Sequence, residues 1–125
     1  MRRLDRLLVR LQTNDVRTGE SAAYPDLQPL ELALDPATAW AVALEAARAM
    51  PGWRVLESDA ATRRIRAEAT TPALRFTDDL WIDVEPARGG SRVDVRSASR
   101  IGVTDFGTNA RRIRAYLDRV AATAP

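Results

Sequence analysis

The chain has 125 residues, 19 of them arginine and 17 acidic, a net charge of +2, and no cysteine, histidine or lysine. That length suits one domain able to bury about two-thirds of its extended-chain surface. The missing residue types exclude disulfides, Ser-His-Asp and Cys-His catalysis, lysine Schiff bases, a P-loop lysine and any zinc site built from His and Cys. Catalysis would fall to carboxylates, hydroxyls, Tyr or Arg, so an enzyme is not the expected reading, and no cofactor or metal is expected. Acids are interspersed with the arginines instead of segregated from them, which argues against a nucleic-acid surface. No apolar run is long enough to span a bilayer and no signal-peptide core follows the start. The expected location is cytoplasmic, with peripheral contact at a membrane left open.

Met1–Leu11 (MRRLDRLLVRL) sets Leu4, Leu7, Leu8 and Leu11 at helical spacing opposite Arg2, Arg3, Arg6 and Arg10, the pattern of a basic amphipathic helix. A helix that short needs a surface to lie on. Its own domain, a partner protein or a membrane interface would each serve. Residues 12–29 are polar, carry Gly19, Pro25 and Pro29, and read as an extended arm or linker laid over the surface.

A single α+β domain is expected over residues 30–122. It opens with a short strand in LELAL (Leu30–Leu34), followed by a helix that Asp35 caps, Pro36 starts and Pro51-Gly52 ends, with Trp40, Ala43, Leu44 and Ala47 on its buried stripe. Period-two alternation then predicts four strands near Arg54–Glu57, Arg64–Thr71, Leu80–Glu85 and Arg92–Ser99, the last two joined through PARGGS. A final helix from Thr104 or Asp105 to Ala121 places Phe106, Ala110, Ile113, Leu117 and Val120 on one face. The order is thus strand, helix, four-stranded antiparallel meander and C-terminal helix. Both helices should cover one sheet face and leave Arg64, Arg66, Glu68, Asp83, Glu85, Arg92 and Asp94 on the other. The pentapeptide RRIRA occurs twice, at Arg63–Ala67 and Arg111–Ala115, once in strand period and once in helical period, so it is not a motif.

The chemistry-bearing stretch runs from Arg75 to Leu117. A hairpin centred on Arg88-Gly89 puts Asp78 and Asp79 opposite Ser99 and Ala98, within reach of Arg96 and Arg100. Arg-carboxylate pairs are commonly bidentate, so Asp78, Asp79, Arg96 and Arg100 can form a structural ion-pair clamp ahead of the last helix. The same region offers Ser97, Ser99, Arg100 and Asn109 as a ligand or anion candidate near the start of that helix. Asp78, Asp79, Asp105 and Asn109 would be the oxygen ligands of a hard cation, but their spacing fits no metal loop. The clamp is the favoured reading of the three. Trp81 falls on the polar face of its strand, where it needs the arm as a cover or else contacts a partner or membrane.

TTPALRFTDDLWIDVEP followed by SRVDVRSASRIGVTDFGTNARRIRAYL resembles the signature of the bacterial family known as domain of unknown function 1499. The matching positions are Asp78, Asp79, Arg96, Ser97, Ser99, Arg100, Gly102, Asp105, Gly107, Asn109, Arg112 and Ile113, and the likeness reaches back to YPDLQPL, covering about Tyr24 to Leu117. The resemblance implies no activity. It does imply membrane proximity, because many members carry an apolar N-terminal segment.

The expected function is a non-enzymatic interaction module, an accessory protein docking on a membrane-bound or multi-subunit complex through Met1–Leu11 and the arm. Leu4, Leu7, Leu8, Leu11 and Trp81 are its candidate partner or membrane contacts. The alternative is a carrier of a lipid or apolar metabolite between the last helix and the sheet, since a long helix on a curved sheet resembles a reduced helix-grip domain. A carboxylate-dependent hydrolase or metal enzyme is the least favoured class.

Overall fold

In the computed structural model, which describes residues 15–72, 75–100 and 107–125, Asp35 starts the first helix by side-chain capping. Its carboxylate accepts from the Thr38 N–H at 3.1 Å and the Thr38 hydroxyl at 2.6 Å, and Pro36 takes the first helical position. This helix, α1 (Pro36–Ala49), buries Ala39, Val42, Ala43, Leu44, Ala46 and Ala47. Small side chains on that face let it lie close to the sheet, and Pro51 prevents its continuation.

The strands are β1 (Asp15–Arg17), β2 (Leu30–Leu32), β3 (Trp53–Asp59), β4 (Arg64–Thr70), β5 (Thr77–Ala87) and β6 (Gly90–Ser99), and the last helix is α2 (Thr108–Thr123). They form one antiparallel sheet in the order β1-β6-β5-β4-β3, with β2 also paired to β6. The chain is therefore α+β with a C-terminal helix, as its periodicity predicts. The β5–β6 register sets Asp78 against Ser99, Asp79 against Ala98 and Ala87 against Gly90, which is the hairpin centred on Arg88-Gly89.

The structure lengthens what alternation predicts. Two adjacent aspartates look like a turn, because Asp is disfavoured in strands, yet β5 begins at Thr77 and includes both. Each is paired with arginine from a neighbouring element, which removes the penalty. The arm also differs from a simple cover. Residues 15–17 are a strand on the outer edge of β6, and the loop beyond it buries Thr18, Ala23, Tyr24 and Leu27. The last helix is described from Thr108, preceded by Gly107 at φ 82°. Met1–Leu11 with its four leucines, the start of the arm, Gly102, Thr104, Asp105 and Phe106 lie outside the described residues.

Both helices pack on one face of the sheet. Ile65, Leu80, Ile82, Val84, Val93 and Val95 from the strands meet Ala110, Ile113, Tyr116 and Val120 of α2 in the core, all of them buried. Each such aliphatic side chain contributes about 1.5–3 kcal/mol by leaving water. Tyr116 stacks on Trp53 with ring centroids 5.0 Å apart, and its hydroxyl donates to the Ala43 carbonyl at 2.8 Å, tying α2 to α1 and β3. The two RRIRA copies divide as expected, the first ending in β4 and the second lying in α2.

Candidate functional site

Alternation along β5 sends Asp78 to the inner face and Asp79 to the outer one, so the adjacent acids serve different sites. Asp78 is 3% exposed. It meets Arg112 of α2 at 2.8 Å, with the two side chains only 9% and 5% exposed. Arg112 Nη1 also donates to Asn109 Oδ1 at 2.8 Å and Ser97 Oγ at 3.2 Å. The Ser97 hydroxyl donates to Asn109 Oδ1 at 2.6 Å, and Asn109 Nδ2 donates to Ser99 Oγ at 3.0 Å. A buried ion pair needs further hydrogen bonds around it, and Asn109 and Ser97 supply them at the Nη1 of Arg112. The helical spacing of Asn109, Arg112, Ile113 and Tyr116 brings these groups onto the face that α2 turns to the sheet.

On the outer face, Asp79 is bonded by Arg66 at 2.9 Å and Arg100 at 3.0 Å. Arg100 reaches on to Glu68 at 2.8 Å, which Arg54 also holds at 2.7 Å. Hydrogen bonding from Arg100 and then Arg66 holds the Asp79 carboxyl below the usual carboxylate range, and Arg54 does the same for Glu68. Arg96 bonds neither Asp78 nor Asp79; it pairs with Asp15 of β1 at 2.7 Å. Register places Arg66, Trp81, Arg96 and Arg17 in one row across four strands. The guanidinium carbons of Arg66 and Arg96 lie 4.5 and 4.4 Å from the centre of the Trp81 ring. Trp81 is thus covered by two cation–π contacts, each contributing about 0.5–1 kcal/mol at an exposed site. A depression of about 450 Å³ beside it is lined by Glu57, Arg64, Arg66 and Asp83 among others.

The structure therefore brings Ser97, Ser99 and Asn109 together but places Arg100 with the outer acids. Of the clamp residues, Asp79 and Arg100 meet, Arg96 secures the arm, and Asp78 belongs to the inner cluster. Arg112 stands among the signature positions, but the sequence pattern assigns it no role. Its signal was the i, i+3 spacing from Asn109. Among the described residues no group of three or more His, Cys, Asp and Glu side chains could hold a metal, and no helix is long and apolar enough to cross a membrane. The inner cluster combines a guanidinium paired with the Asp78 carboxylate, two hydroxyls and a carboxamide.

The architecture is a helix-covered antiparallel sheet, with signature residues gathered where α2 meets the ends of β5 and β6. A family described as Protein of unknown function (DUF1499) matches residues 10–120, and the chain belongs to that family. No curated protein matches it. Among solved structures, Ara h 8.0201 is similar in fold at 9% identity and a TM-score of 0.56, over 86% of this chain and 94% of that one. Protein CV1439 from Chromobacterium violaceum is similar at 15% identity and a TM-score of 0.50, over 87% and 95% of the two chains.

Proposed function

We propose that this chain is a non-enzymatic interaction module, an accessory protein that docks on a membrane-bound or multi-subunit complex through Met1–Leu11. The anchoring of β1 carries the reading. Val16 is fully buried, Asp15 is tied to Arg96 at 2.7 Å, and Arg17 to Asp94 at 2.9 Å. In sequence, Leu4, Leu7, Leu8 and Leu11 come shortly before this strand, which is fixed on the sheet edge. A short tether to a rigid body lowers the ordering cost of docking. The outer sheet face supports the same reading, because Trp81 and its arginines are the residue types that dominate interface energies. The sequence also lacks the usual catalytic nucleophiles and bases other than carboxylates and hydroxyls.

The test is affinity capture from native membrane and soluble fractions with the full chain and with a version lacking residues 1–11. The cut stops there because β1 and the loop after it supply core residues. A complex of defined composition recovered only by the full chain is the expected result, with equal thermal melting of the two proteins as the folding control. Equal recovery by both versions would overturn docking through the N-terminal segment.

A further inference from the structure

The sheet ends differently on its two sides. Beyond β6, the short strands β1 and β2 cover most of the edge. Beyond β3 no strand follows among the described residues, so Trp53–Asp59 form an open edge seven residues long. Such an edge offers unpaired N–H and C=O groups to an extended strand laid beside it. The Thr70 N–H bonds the Gly52 carbonyl at 3.0 Å, which sets the alternation. Arg54, Glu57 and Asp59 turn their backbone groups to β4, and Val55 and Ser58 turn theirs outward. Arg54 and residues 56–59 are exposed. Leu56, at 40%, is one of two exposed large apolar side chains among the described residues.

A bulge gives this edge a symmetry that a regular strand of the same sequence would lack. Arg54 and Asp59 are an odd number of positions apart, which ordinarily puts two side chains on opposite faces. The register shift between Val55 and Glu57 cancels this. Arg54 lies opposite Glu68 and Asp59 opposite Arg64, so both stand on the outer face. Val55 and Ser58 lie opposite Ala67 and Ile65, which are buried on the inner face. A second β3 laid antiparallel therefore matches outer to outer and inner to inner. Arg54 meets the partner's Asp59, Val55 the partner's Ser58, and Leu56 the partner's Glu57. The charges select the same direction. Arg54 is at one end of the strand and Glu57 and Asp59 at the other, so antiparallel pairing joins unlike charges twice, whereas parallel in-register pairing sets like against like. Arg54 already bonds Glu68, but its side chain is 73% exposed and has room for a second carboxylate.

We propose that β3 is a self-association edge. Two copies of the chain pair β3 to β3, antiparallel about a two-fold axis between Leu56 and Glu57, and join their sheets into one. A contact of this kind uses the same patch on both copies, so it closes at a dimer. One pair of strands is a small interface, so the dimer is reversible and grows with protein concentration. The edge lies on the far side of the sheet from β1, and the proposal does not rest on the function proposed above.

The test is sedimentation equilibrium of the full chain over a wide range of concentration. The wild type is compared with Arg54→Asp, Asp59→Arg, the double variant carrying both, and Ser58→Pro. The wild type should pass from monomer to dimer with no larger species. Each single reversal opposes like charges at both ends of the strand pair and should weaken dimerisation about tenfold. The double variant restores unlike pairs and should regain the dimer. Ser58→Pro removes an outward N–H without breaking the ladder to β4, as proline on an edge strand can, and should abolish the dimer with the fold kept. Melting temperatures at low concentration are the folding control. A wild type that stays monomeric at every concentration would overturn the proposal. So would dimerisation unchanged in Ser58→Pro, or a double variant that associates no better than the single ones. If a variant does not fold, the wild type and the remaining variants decide.

Discussion

Asp78 and Asp79 are neighbours in sequence, yet their removal should have unequal consequences. Asp78→Ala leaves the Arg112 guanidinium buried without its counter-charge, a change that costs about 3–5 kcal/mol. Asp79→Ala leaves Arg66 and Arg100, whose side chains are 28% and 48% exposed and can turn to water. Pairs of that kind contribute about 1 kcal/mol or less. Urea denaturation of the two variants checks the order, and an equal or larger loss for Asp79→Ala would contradict the assignment of the buried pair. Part of this was legible in the sequence: the hairpin register alone sets the two aspartates opposite Ser99 and Ala98. What was not legible is the partner of each. Arg112 lies on a helix, and nothing local says which sheet row it will cross.

At the scale of elements, the meeting of β2 with the β5–β6 hairpin rests on one small residue. A Cβ on Gly90 would land on the Leu32 carbonyl, and would lie 3.0 Å from Leu34 N and 3.1 Å from Ala33 Cα. The next residue, Ser91, donates to the Leu34 carbonyl at 2.7 Å and holds β2 in that position. Gly90→Ala should therefore force β2 off the edge of β6 and cost about 1–3 kcal/mol, as overpacking does. Gly89→Asn is the control. Gly89 has φ 83° but open space around it, and asparagine tolerates that conformation. Thermal melts should show the Gly90 variant falling well below the Gly89 variant, and the reverse order would refute the close approach. Alternation made the long strands legible but not β1. Three residues, Asp15, Val16 and Arg17, carry too little pattern, and their partners Ala98, Ser97 and Arg96 are about eighty positions away. The added length of β5 was hidden for a different reason. Local propensity opposes Asp in a strand, and only tertiary pairing offsets it.

For the whole molecule, the same absences that narrow its chemistry fix how its stability responds to pH. At the acid end, Asp79 and Glu68 keep their charge to lower pH in the native state than in the unfolded chain, because arginines hold them as carboxylates. Unfolded Asp and Glu protonate near pH ~4. Between the native and unfolded values the unfolded chain binds more protons, so stability rises with pH and is complete above about pH 5. At the alkaline end, burial pushes the Tyr116 phenol up. Above about pH 10 the unfolded chain loses this proton while the native state keeps it, so stability falls as pH rises. With no histidine, cysteine or lysine in the chain, no side chain of ordinary pKa titrates between these limits. Urea midpoints measured from pH 3 to 11 should therefore trace a plateau, with an acid shoulder that Asp79→Asn reduces and an alkaline one that Tyr116→Phe reduces. The second variant also loses the bond to Ala43, so its plateau should sit lower while its alkaline limb flattens. A steep slope near neutral pH would reveal a perturbed group in the folded core and overturn this account of the charge balance.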